Sequence, residues 1–221
     1  MKLLNTIHED YHMHSINLSD GFHTVDEIVQ YAGRIGLKKI VITDHSQAVL
    51  DGCNITKKTW MSWATRWKNV YNDVEVSFGI EGDILDEEGD CCFDIWWSSR
   101  DFLILAVHNS AYKWDFKNIT QAYINALHKY HDTIKYIAHL CFEKISEFVD
   151  VEAVVKVANH YHIPMEFNAK NFVLGTTDEK KLLQMLKLAD QVYITSDMHT
   201  LSDFDFLQVA FDYLKEHGFI S

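Results

Sequence analysis

The 221-residue chain is 48% hydrophobic and 13% aromatic, which suits one folded domain over residues 1–221 with a sizeable core and argues against disorder. Its formal charge of -12, from 20 basic and 32 acidic residues, excludes a broad surface that tracks nucleic-acid phosphates or anionic membranes. Cys53, Cys91, Cys92 and Cys141 show no C-x-x-C spacing, and no apolar run reaches the length of a membrane span or a leader, so a cytoplasmic chain with reduced thiols is expected.

The first element is a strand, DYHMH at 10 to 14, whose alternation puts His12 and His14 on one face and Met13 on the other. Thr24 and Glu27 make a capping-box signature for a helix that presents Ile28, Tyr31, Ala32 and Ile35 and stops at Gly36. KKIVITDH then reads as a buried strand. A helix is expected over about 57–71, with Trp60, Trp63 and Trp67 at helical spacing as a face packed on the sheet, followed by a strand over 74–84.

FLILAVH at 102 to 108 is another buried strand, and Asn118 with Gln121 forms an N-cap pair for a helix through about Tyr130. TIKYIAH at 133 to 139 is a strand, and Asp150 caps a helix over VEAVVKVANHY. IPMEFN, the helix EKKLLQMLKLA, the strand QVYITSD and a helix near 204 to 216 complete the chain. Strands alternating with helices predict a parallel α/β architecture, either an open doubly wound sheet or a closed barrel. In a barrel, polar residues at the C-terminal strand ends converge on one mouth.

Nearly every expected strand ends in groups that ligate metals. They are His12 and His14, then Asp44 and His45, Glu81, His108, His139, and Asp197 with His199; Asp20, in LSDG after the first strand, can join them. Imidazole and carboxylate are donors that zinc, manganese and iron accept. Six of the 13 histidines lie in or just after buried strands at the same end, which random placement would not produce. His8, His23, His128, His131, His160, His162 and His217 fall in helices, turns or their ends and read as structural or surface residues.

These residues, in this order, resemble the motifs of the polymerase and histidinol phosphatase (PHP) superfamily. The resemblance rests on Asp10-Tyr11-His12-Met13-His14 with Ser19-Asp20-Gly21, Thr43-Asp44-His45, Glu81 with His108 and His139, and Ser196-Asp197-Met198-His199, and spans residues 10 to 199. It implies a distorted (β/α)7 TIM-like barrel and up to three divalent ions (Zn, Mn or Fe). His12, His14, Glu81 and Asp197 would bind the first; Glu81, His108 and His139 the second; Asp20, His45 and His199 the third. Glu81, Asp197 and His199 would stand at the reacting centre.

The activity implied is metal-dependent hydrolysis of a small phosphate monoester. A metal lowers the pKa of bound water from about 16 to about 7, while neighbouring cations take up charge on the phosphoryl oxygens. Asp10 and Asp44 would sit behind the ligands and orient imidazoles through the nitrogen not on the metal; for Asp44 a helix N-cap role fits as well. Only Arg34, Arg66 and Arg100 occur, so Lys113 and Lys170, in loops on the catalytic side, are the candidates to hold the phosphate. Competing readings are a nucleotide phosphodiesterase or nuclease, an amidohydrolase-type metal hydrolase, and a non-catalytic metal-binding module. No long nucleic acid and no membrane is expected as partner.

Overall fold

The computed structural model describes residues 1–56 and 64–220. Among them, one sheet runs in the order β1 (Lys2–Leu3), β9 (Gln191–Thr195), β8 (Met165–Asn168), β7 (Ile134–Ile137), β6 (Phe102–Ala106), β4 (Glu75–Ile84), β3 (Lys39–His45) and β2 (Glu9–Asp10). Neighbours on this path are parallel; β5 (Cys91–Cys92) adds an antiparallel hairpin to β4.

β1 and β2 follow one another in the chain yet lie at opposite ends of the strand order, so the residues between them cross the seam. Asn5 bridges that seam: its Nδ2 donates to the Ile194 carbonyl at 2.7 Å and its Oδ1 accepts from the Ile194 amide at 3.0 Å. Further along, Met13 pairs with Met198, and the His14 amide donates to the Met198 carbonyl at 2.8 Å. The sheet thus curls on itself as the expected distorted α/β barrel.

Helices cover the outside. In α1 (Val25–Arg34) the capping box forms, with Thr24 Oγ1 accepting the Glu27 amide and Glu27 Oε2 accepting the Thr24 amide at 2.8 Å. Gly36, at φ +88°, ends this segment in a conformation only glycine adopts cheaply. Asp150 caps α5 (Val151–His160) and Asp178 caps α7 (Glu179–Leu188), each through its side chain. α8 (Phe206–Glu216) completes the layer after a 3-10 turn at Leu201–Asp205.

α3 (Ile119–Tyr130) occurs where expected, but the Asn118–Gln121 cap does not form. A 3-10 turn at Phe116–Asn118 starts the segment, Asp115 accepts the Lys117 amide, and Asn118 Nδ2 instead donates to Glu87 Oε2 at 2.5 Å. Three short helices escape sequence periodicity: α2 (Gln47–Gly52), α4 (Glu143–Ser146) and α6 (Ala169–Val173). Residues 57–63 of the helix expected over 57–71, with Trp60 and Trp63, lie outside the described residues, and the rest of that span is not α-helical. Trp67 packs edge-on against Phe78 at 5.6 Å and donates its Nε1–H to Asp26 Oδ1, a packing role.

The main core lies between strands and helices, with Ile28, Ile40, Leu105, Tyr123, Phe167 and Leu186 fully buried. Inside the barrel, Tyr11, Val41, Ile104, Ala106, Tyr136 and Ala138 form a second cluster that fills its lower half. That apolar plug leaves the C-terminal half of the lumen to polar residues.

Candidate metal centre

Alternation along the strands selects which polar side chains enter the mouth. Glu81 and Asp83 on β4, Glu166 and Asn168 on β8, and Thr195 on β9 each sit two residues apart from a like-facing neighbour and are buried. His12 and His14 are both fully buried in the site while Met13 joins the outer core. His139 and Asp197 reach the mouth by another route: both follow strand ends with positive φ, 28° and 52°. Asp20 arrives on a loop that Gly21 lets pass against the chain just after the Met13 bridge, since a Cβ at Gly21 would stand 2.1 Å from the His14 carbonyl oxygen.

Glu81 is the centre of the cluster. Its Oε1 lies 2.7 Å from His139 Nε2, 3.4 Å from His12 Nε2 and 3.7 Å from His108 Nε2; its Oε2 lies 2.8 Å from His45 Nδ1 and 3.5 Å from His14 Nε2. Asp197 Oδ1 is 3.3 Å from His14 Nε2 and 3.8 Å from His12 Nε2. Asp20 Oδ1 stands 3.4 Å from His45 Nε2 and 3.3 Å from His199 Nε2. The nine residues therefore converge. Seven of them supply donor atoms to three overlapping groups among the described residues: His14, Asp20, His45 and His199; His12, His14 and Glu81; His45, Glu81 and His108. His14, His45 and Glu81 each belong to two of these.

The donor set fits cations. His12 Nε2 and His14 Nε2 are buried without a hydrogen-bond partner, an arrangement costing about 1–3 kcal/mol per atom unless an ion meets it. The field agrees. Burial alone would depress His12, but Glu166, Glu81 and Asp197 hold it well above the usual histidine range, so positive charge is favoured where its ring points. His14 is driven well below that range by burial and by His45 and His199 beside it, which keeps its ring neutral and its lone pair free. Burial opposes ionisation of Asp197, yet Lys170 and His12 hold its carboxyl well below the usual range.

Two carboxylates absent from the sequence-derived set hold the imidazoles. Glu166 Oε1 accepts His12 Nδ1–H at 2.6 Å and the Thr195 hydroxyl at 2.6 Å; its Oε2 accepts the His139 amide at 2.6 Å. Asp83 accepts His108 Nδ1–H and the Ser46 hydroxyl, each at 2.6 Å. Both contacts fix the tautomer that leaves Nε2 free. The signal was present as a carboxylate on the inward register of an apolar strand, two residues after Glu81 in β4 and within MEFN in β8.

Asp10 and Asp44 do other work than orienting imidazoles. Asp10 accepts the Ser196 amide at 3.0 Å, the Ser196 hydroxyl and the His12 amide at 3.4 Å, tying β2 to the turn after β9. Asp44 accepts the Ser15 amide at 2.6 Å and its hydroxyl at 2.8 Å, and the N-cap position of α2 falls to Ser46, which makes no side-chain cap bond, so neither role foreseen for Asp44 occurs. Burial pushes these carboxyls up, to about 6 for Asp10 and about 7 for Asp44.

The two lysines part company. Lys170 Nζ sits 2.9 Å from Asp197 Oδ2 and 3.0 Å from His199 Nδ1. Lys113 is exposed and donates to the Ser110 carbonyl instead, away from the cluster. A cleft of about 230 Å³ opens over the site, bounded by Asp20, His45, His108, His139, Asp197 and His199 with Phe142, Lys170 and Asn171. A larger cavity of about 610 Å³ lies at the other end of the strands, between Tyr11, Lys39, Phe102 and Tyr193, and contains none of these groups.

A parallel barrel whose mouth gathers imidazoles and carboxylates around one shared glutamate defines the class of metal-binding β/α-barrel proteins. Residues 10–195 match the PHP domain model, and the chain belongs to that family. It is 26% identical over 207 residues to the probable phosphatase YcdX of Escherichia fergusonii, covering 89% of this chain and 81% of that one. It is 28% identical to a probable phosphatase of Caldicellulosiruptor saccharolyticus, covering 94% and 87%. Histidinol phosphate phosphatase of Lactococcus lactis, solved with zinc, L-histidinol and phosphate, shares the fold at TM-score 0.53 and 13% identity, over 93% of this chain and 92% of that one.

Proposed function

We propose that the protein is a metal-dependent phosphomonoesterase acting on a small phosphate ester. The observation that carries this reading is the convergence of nine imidazole and carboxylate side chains beneath a 230 Å³ cleft whose other walls include a lysine. His12, His14, Glu81 and Asp197 would hold one ion, Glu81, His108 and His139 a second, and Asp20, His45 and His199 a third. Such ions supply a water activated for attack and positive charge against the phosphoryl oxygens. The family membership, the names of the relatives and the zinc and phosphate held by the Lactococcus lactis protein support it.

The chain's own residues do the positioning. Glu166 and Asp83 keep the protons of His12 and His108 on Nδ1, so both Nε2 lone pairs face Glu81. Glu81 lies against His12, His14, His45, His108 and His139 and would serve as a ligand common to more than one ion. Asp197 and His199 face the cleft beside Lys170, whose ammonium meets a phosphoryl oxygen as a point charge. Cleft size favours a monoester, since about 230 Å³ falls below the roughly 300–1,000 Å³ of sites for drug-sized ligands and gives no groove for a polynucleotide.

The test pairs elemental analysis with a substrate panel. Metal-loaded protein should turn over p-nitrophenyl phosphate and histidinol phosphate and leave bis-p-nitrophenyl phosphate intact. Faster diester than monoester cleavage would move the assignment to a phosphodiesterase, and fewer than two metals per reconstituted chain would refute the three-ion centre.

A further inference from the structure

Beside the metal mouth lies a second cleft of about 320 Å³, lined by Gln47, Asp51, Asp94, Trp96 and Trp97. Its position follows from the chain: Gln47 begins α2 two residues after His45, and Asp94 lies two residues after Cys92, which pairs with Asp83. The Gln47 amide donates to the Asp94 carbonyl at 2.8 Å, which clamps the loop to the start of α2.

The aromatic geometry is unusual. Trp96 and Trp97 stand with ring centroids 6.2 Å apart and planes at 84°, forming two walls of a corner. Both are in the left-handed region, at φ 52° and 58°, where a bulky residue costs about 1–2 kcal/mol. The chain holds them there: Gln47 Oε1 accepts the Trp96 amide at 3.1 Å and Asp94 Oδ2 accepts the Trp97 amide at 2.9 Å. Trp97 is nevertheless 84% exposed, so burial of its indole does not explain the conformation.

Among the described residues the lining has two indoles, two carboxylates, one amide and no cation. Phosphate and carboxylate ligands are repelled by it. An alkylammonium group satisfies it, because indole faces attract a weakly hydrated cation and carboxylates neutralise the charge. Asp51 is already oriented, its Oδ1 accepting from Gln47 Nε2 at 2.7 Å, and it retains further lone pairs. We propose that this corner is a binding site for an alkylammonium group. The group is carried by the substrate, with its phosphate in the neighbouring metal cleft; that assignment to the substrate rests on the phosphomonoesterase reading, whereas ammonium binding itself does not.

Choline is the probe, titrated into the full chain labelled at its tryptophan indoles with nitrogen-15. Two indole resonances should move together and saturate. Trp97→Ala should abolish the response, and Asp51→Asn, which preserves an acceptor for Gln47, should weaken it about fivefold. No saturable shift, or equal binding by both variants, would overturn the site whatever the phosphatase assays show. A second arm identifies the source: with the ammonium on the substrate, Asp51→Asn raises KM for phosphocholine and leaves that for p-nitrophenyl phosphate unchanged. Intact choline binding with equal KM effects on both esters would overturn the substrate assignment and identify the ligand as a free amine.

Discussion

Glu166→Gln exchanges one oxygen for an NH2 group and removes the charge, in a side chain that is 2% exposed. Every bond the carboxylate makes is an acceptance, from His12 Nδ1, Thr195 Oγ1, the His139 amide and Asn168 Nδ2. Burial would raise this carboxyl, but His12 and the surrounding donors outweigh it and hold the group below its usual range. A glutamine has one acceptor oxygen, so its NH2 must face either the His139 amide with Asn168 or the pair His12 and Thr195. In the second arrangement His12 would accept at Nδ1 and carry its proton on Nε2, the atom needed for a metal.

Losing one to two buried charge-assisted acceptances costs on the order of 2–4 kcal/mol of stability. Loss of an imidazole's orienting carboxylate lowers metal affinity about 10–100-fold. The assay is metal content per chain after dialysis, with dissociation constants from chelator competition, and kcat/KM against free metal. The activity curve should shift to higher metal and recover most of its plateau at saturation. Wild-type metal affinity in a folded Glu166→Gln protein would refute the claim that this carboxylate sets the His12 tautomer.

Asp83→Asn should weaken metal binding through His108 by a similar 10–100-fold while sparing the fold, read by the same competition assay. Lys170→Ala should lower kcat/KM on the best monoester about 10–100-fold, whereas Lys113→Ala, which faces away, should stay within about twofold of wild type. Asp44 is protonated more readily folded than unfolded, so its contribution to stability is lost as pH rises from about 4 to about 7. Asp44→Asn should flatten that window in denaturant melts of metal-free protein; the gap between 3.8 and about 7, at roughly 1.4 kcal/mol per pH unit, bounds the effect at ~4 kcal/mol. Thr24→Ala should cost about 1 kcal/mol through the lost capping box and leave activity unchanged.

Much of the architecture is local and was legible. The capping residues Thr24 and Asp150 act within three residues of themselves, and the buried strands declare themselves by apolar runs, so element type follows from short-range physics. The ordered set from His12 to His199 was legible for a related reason: parallel strands all present their C-terminal ends to one mouth, so residues after strand ends meet in space. Short helices such as α2 and α6 offer too few turns for periodicity to register.

What long-range contacts decide could not be read along the chain. Asp10 and Asp44 adjoin motif residues in sequence, yet their donors are Ser196 and Ser15, brought to them by closure of the seam and by the turn after His14. Glu166 lies 154 positions from His12, and nothing near it in the chain announces that it holds that ring. Lys113 and Lys170 look alike in sequence; only the packing of α6 against the mouth separates the one beside Asp197 from the one in solvent. The sequence by itself determined the longer helices, the buried strands and the nine candidate metal donors, because those depend on residue type and strand register. The tertiary structure alone decided which carboxylate orients which imidazole and which cation faces the cleft, because those depend on distances that closing the barrel creates.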